Sequence, residues 1–161
     1  MYKFIETMKT VKFLAIALAA LSMSFSACKK EEEKTETPKV AGSTLLTGKD
    51  WRVSALTIVS AGGTIDVLAA MQACEKDDLQ EFMANGNIVN KAGATKCDPA
   101  DPDTEPGGTW AFLDNDTKFR VIDGDTSIAE VVELTATIFR VKLVENDNGT
   151  VYTTNATFVK N

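Results

Sequence analysis

The chain has 161 residues, a formal net charge of −6 and no histidine. Missing histidine excludes Ser–His and Cys–His nucleophile pairs and most zinc or transition-metal sites. The acidic balance speaks against nucleic acid, which calls for a basic patch.

The N-terminus reads as an export leader. Lys9 and Lys12 form a positive region, Phe13 to Leu21 an apolar run, and Ser22 to Ala27 a stretch of mostly small residues. That order marks a secretory signal over residues 1–27. Met8 gives a cleaner start than Met1, because residues 1–7 add the acidic Glu6. The apolar run is too short for a transmembrane helix, which needs about 20 residues. Lys3, Lys9 and Lys12 outweigh Glu6 by two, so the chain beyond the leader carries −8.

Cys28 follows Ala27 directly, and Lys29-Lys30-Glu31-Glu32-Glu33 follows Cys28. The junction resembles the lipobox of bacterial lipoproteins, which implies that Cys28 is the lipidated first residue of the mature protein. Several acyl chains, at about 0.8 kcal/mol per buried methylene, give a stable membrane anchor. The lysine–acid run resembles the surface-export tag of Bacteroidetes-type lipoproteins. This implies an outer-membrane lipoprotein displayed on the cell surface. Residues 28–44, rich in Lys, Glu, Thr and Pro, read as a disordered tether. Residues 45–161 are long enough for one domain with one core.

From Trp51 the sequence reads as short strands parted by turns. The first runs from Trp51 to Ser60, with Trp51, Val53, Ala55 and Val59 on one face. AGGT is a turn, and Asp66 to Cys74 reads as a short helix with Asp66 as its N-cap. Leu79 to Met83 and Asn87 to Lys91 are strands joined by ANGN, an Asn-Gly hairpin. Residues 97–108, CDPADPDTEPGG, read as a loop. Five strands follow: Thr109–Leu113, Lys118–Ile122, Ser127–Leu134, Ile138–Val144 and Val151–Val159. Trp110 with Phe112, Phe119 with Val121, and Phe139 with Val141 and Leu143 alternate with polar residues, the period of half-buried antiparallel strands. The expected fold is all-β: an eight-stranded antiparallel up-and-down β-barrel with one short helix after strand one.

LLTGKDWRVSAL at 45–56, ACEKDDLQEFMANGNIV, GATKCDPADP and GGTWAF together resemble the lipocalin-like domains carried on lipoproteins of Bacteroidetes-type bacteria. The resemblance covers most of residues 45–161. It implies that Trp51, after Gly48, plugs the closed end of the barrel.

Cys74 and Cys97 form an even pair in an exported domain and read as a disulfide. Asp98, Asp101, Asp103 and Glu105 crowd one loop, but Pro106 and Phe112 break an EF-hand pattern counted from Asp101, so no metal site is expected. Asp114, Asp116, Asp123, Asp125 and Asp147 fall in turns, where they serve the backbone. Glu130 faces inward if Ile128, Val132 and Leu134 do; a β-bulge or outward placement is the other reading. No catalytic residue and no cofactor is expected. An eight-stranded barrel is either just filled by side chains or holds one small ligand. The ligand reading is a small apolar or amphipathic molecule at the end away from Trp51. It would lie under a lid of residues 61–76 and touch Met71, Phe112, Phe139 and Tyr152. The other reading is a filled barrel serving surface interaction.

Cys28→Ala is expected to abolish lipid attachment and move the protein from the detergent phase into the aqueous phase. Partition identical to the parent contradicts the anchor.

Overall fold

The computed structural model describes residues 41–161. The leader, Cys28, the charged run and most of the tether lie outside the described residues. The elements are α1 (Gly42–Leu46), β1 (Asp50–Ser60), β2 (Gly63–Asp66), α2 (Val67–Ala70), α3 (Ala73–Lys76), β3 (Leu79–Phe82) and β4 (Asn87–Lys91). They continue with β5 (Thr104–Leu113), β6 (Lys118–Asp123), β7 (Asp125–Leu134), β8 (Ile138–Asp147) and β9 (Thr150–Lys160).

From β3 to β9 each strand pairs antiparallel with the next. β9 then returns to β1, from Trp51 opposite Lys160 to Val59 opposite Thr153. The far edge of β1 pairs through Asp50, Trp51 and Arg52 with β3. Eight antiparallel strands thus close into a barrel, as the alternation and turn spacing anticipate. The turns carry the residues their geometry demands. Asn148 and Gly149 both sit at positive φ, the requirement of a two-residue hairpin. Asp114, Asn115 and Asp116 hold left-handed conformations between β5 and β6, which Asp and Asn tolerate best.

The segment after β1 differs from expectation. Gly62 and Gly63 turn the chain back, and Gly63–Asp66 pairs with Thr57 to Ser60 as a ninth strand. Asp66 does cap a helix, its Oδ1 accepting from the Ala69 amide at 2.9 Å. That helix stops at Ala70, because Met71 and Gln72 are extended. Gln72 and Glu75 then form a capping box that opens α3. Two short turns replace the single helix over 66–74.

Three further differences have local causes. α1 begins at Gly42, ahead of Leu45, and its Leu46 is fully buried. The acidic loop ends at Asp103, since Thr104, Glu105 and Pro106 already pair with β4. Pro106 fits there because the ladder shifts register between Asn87 and Val89. In β1 a register shift between Val53 and Ala55 reverses which face the later residues present. Leu56 and Ile58 are half-buried, while Ala55 and Val59 are exposed.

The core is aromatic. Leu46, Trp51, Phe82, Ile88, Trp110, Phe119 and Phe139 form its buried cluster. Phe82 stands edge-on to Trp110, Phe119, Phe139 and Phe158, with centroids 5.6 to 6.2 Å apart. Such pairs add about 0.5–1.5 kcal/mol each beyond area burial. Trp51 is fully buried and its indole N–H donates to the Leu46 carbonyl at 2.8 Å. α1 lies at this end, where the Gly42 amide donates to Asp116 and Lys49 donates to the carbonyl of Ala136.

Phe82→Ala is expected to lower the unfolding free energy by about 3–5 kcal/mol. Val132→Ala, on the exposed outer wall, should cost less than about 1 kcal/mol. Urea unfolding of both variants checks the assignment; equal losses would place the core elsewhere.

Candidate ligand cavity

The barrel is solid at the α1 end and hollow above it. Inward positions are set by the aromatic floor and continue every second residue along each strand. Above Phe119 comes Val121; above Phe139 come Val141 and Leu143; above Phe158 come Ala156 and Thr154. β7 contributes only Ala129 and Ser127. β7 and β9 flank β8, and their small inward side chains leave space beside Val141 and Leu143 that no large residue fills. The result is a cavity of about 260 Å³, with Phe82, Phe119 and Phe158 at its base.

One polar pair stands in its wall. Gln80 and Asn90 follow the inward parity of Phe82 and Ile88, and the Gln80 amide donates to Asn90 Oδ1 at 3.2 Å. Gly107 backs this pair. A Cβ there would lie 2.8 Å from Asn90 Oδ1 and 2.9 Å from Ile88 Cγ2, so a side chain would displace the wall. Asp123 and Ser127 mark the upper rim.

A second space of about 470 Å³ adjoins the cavity and shares Gln80 and Asn90 with it. It opens where β1 leaves β3 and takes up β2. Val53, Met71, Leu79, Cys97 and Pro102 give its apolar lining, with Glu75, Asp78, Asp101, Glu105, Lys91 and Lys96 around it. The β4–β5 loop over this groove is fastened from several sides. Cys74 and Cys97 are disulfide-bonded, with Cα atoms 5.3 Å apart, as the even pair implied. Asp77 Oδ2 accepts from both the amide and hydroxyl of Thr95, and Asp78 Oδ1 accepts from the Gly93 amide. At Gly93 a Cβ would meet the Asp77 carbonyl oxygen at 2.4 Å, so the approach requires glycine.

The expected ligand contacts do not come together. Met71 lines the groove, not the cavity. Phe112 and Phe139 belong to the floor. Phe139 is fully buried against Trp51, and Phe112 packs beside Gly42 of α1. Tyr152 lies far out on β9 opposite Glu145, about one-third exposed, and lines neither space. Trp51 fills the closed end. The residues missed, Gln80, Asn90 and Ala156, carry a signal only once paired. Gln80 stands directly opposite Asn90 in the β3–β4 register.

The acids are mostly spoken for. Glu130 faces outward and pairs with Lys142 at 2.6 Å, because Ala129 and Val131 take the inward positions. A register shift between Val131 and Glu133 then turns Leu134 inward. Lys91 bridges Asp50 and Glu81 at 2.7 and 2.8 Å. Hydrogen bonds to Asp50 and then Glu81 raise its pKa. Lys96 bonds Asp103 at 2.6 Å, and that contact holds the Asp103 carboxyl below its usual value. In the acidic loop Asp98 and Asp101 accept backbone amides. Among the described residues no cluster of three His, Cys, Asp or Glu side chains is arranged to hold a metal ion.

Compared with protein families and with curated proteins, the chain matches none. Fold and site define a closed eight-stranded antiparallel barrel, filled by aromatics at one end and hollow toward the other.

Proposed function

We propose that the chain is a lipocalin-like lipoprotein of the cell envelope whose barrel binds a small apolar or amphipathic ligand and performs no catalysis. Cys28 anchors it in the outer membrane, and the Lys29–Glu33 run directs it to the cell surface. The leader, the lipobox resemblance and the charged run support the location. The cavity supports the binding.

Its volume carries the reading. The cavity's 260 Å³ stand partly open to solvent, and its mostly apolar wall is left without packing partners. Packing alone gives no reason to keep it, since larger residues at Ala129 or Ala156 would close it. At about 30 Å³ per water-sized unit the space takes about nine methylene-sized groups. That suits one short alkyl tail or one ring system. Gln80 and Asn90 supply the few polar groups that orient such a ligand.

A surface-interaction role without ligand draws on a different observation: Ile128, Val132 and Val144 stand exposed on the outer wall. One titration separates the two. 1-Octanol should bind the purified chain saturably, and Ala156→Phe should weaken it at least about tenfold, or 1.4 kcal/mol, with the unfolding transition retained. No saturable binding by the parent, or unchanged binding by a folded Ala156→Phe, overturns the ligand reading.

A further inference from the structure

We infer that the cavity selects an apolar tail carrying a cationic head group over the same tail carrying an anion. The inference rests on the ligand-binding reading and concerns the charge of what enters.

The charges at the entrance are lopsided. Glu75, Asp78, Asp101 and Glu105 border the groove, and Asp123 stands on the rim of the cavity. Three of these accept backbone amides: Glu75 from Gln72, Asp78 from Gly93 and Asp101 from Asp98. Amide donors leave the carboxylate charge in place. Two lysines border the same groove, and both are neutralised from outside it. Lys91 is held by Asp50 and Glu81, Lys96 by Asp103. None of these three acids borders either space. The cavity lining itself contains no lysine or arginine.

Topology adds to the imbalance. In an up-and-down barrel alternate turns fall at the same end. The β4–β5 loop, the β6–β7 turn and the β8–β9 hairpin therefore share the open end. Asp125, Glu145 and Asp147 lie on the latter two. The closed end is mixed by contrast, with Lys49 and Lys118 among its acids. A ligand whose tail reaches the aromatic floor leaves its head among these carboxylates.

Each exposed carboxylate acts weakly at a distance, since water and salt screen it. Five of one sign, four around the adjoining groove and Asp123 on the cavity rim, act together, and reversing the ligand's charge doubles the difference. A preference of about tenfold follows for charges about 10 Å apart at about 0.1 M ionic strength. The chemical class is an alkyl or aryl ammonium, with neutral amphiphiles second and carboxylates last.

Three probes with one tail test it: octyltrimethylammonium, 1-octanol and octanoate, titrated against the purified chain at about pH 7.5. The ammonium should bind about tenfold tighter than octanoate, with the alcohol between. Raising salt from about 20 mM to about 500 mM should shrink that ratio severalfold. The triple variant Asp101→Asn, Glu105→Gln, Asp123→Asn should bring it to within about threefold. Octanoate binding as tightly as the ammonium, or a ratio that survives the triple variant, overturns the selectivity while leaving the cavity a binding site. Failure of all three to bind overturns the ligand reading and this inference with it.

Discussion

Phe82 packed edge-on against Trp110, Phe119, Phe139 and Phe158 sets the level at which the barrel stops being solid. β3 has only four residues, yet its last one reaches four aromatic rings from β5, β6, β8 and β9. Below that layer Trp51, Leu46 and α1 complete the fill. Above it the inward positions of β7 and β9 go to Ala129, Ser127, Ala156 and Thr154, which are too small to fill the interior beside Val141 and Leu143. Floor and hollow are two consequences of one distribution of side-chain size. An eight-stranded barrel has an interior just wide enough for side chains to fill it, so small residues on two strands suffice to open one.

The open end is held by covalent and polar ties in place of a core. β1 departs from β3 after Arg52, and the gap is bordered by α2, α3 and the β4–β5 loop. These segments bury no residue of their own. The Cys74–Cys97 bond closes the chain on itself there, worth about 3 kcal/mol in the chain-entropy account. The Asp77 and Asp78 contacts to Thr95 and Gly93 align the loop. Glu75, Asp78 and Asp101, which accept backbone amides in these segments, also border the groove.

Much of this was legible in the sequence. Alternation from Phe139 to Leu143 and from Trp110 to Phe112 fixed the inward faces of β8 and β5, and Asn-Gly marked the β3–β4 hairpin. What alternation does not reveal is a bulge. At Val53–Ala55 and at Val131–Glu133 one residue reverses the period, which hid Leu56 and Ile58 and gave Glu130 two possible sides. The lid illustrates a second limit. DVLAAMQAC has helical spacing, but Gly62-Gly63 allowed a hairpin on β1, and pairing with Thr57–Ser60 took Gly63–Asp66 as strand. The site was the least legible part. Large aromatics draw attention, yet Phe112 and Phe139 are floor. The cavity is made by small residues, whose absence of bulk has meaning only when opposite strands are known.

The central claim is that the barrel's upper half is an apolar space and not a core packed by other rotamers. Crystals of the chain pressurised with xenon test it most directly, because xenon enters apolar cavities of this kind. The account predicts a xenon peak bounded by Phe119, Val141 and Ala156 above the Phe82 ring. Side-chain density filling that space, with no xenon site inside the barrel, would contradict it.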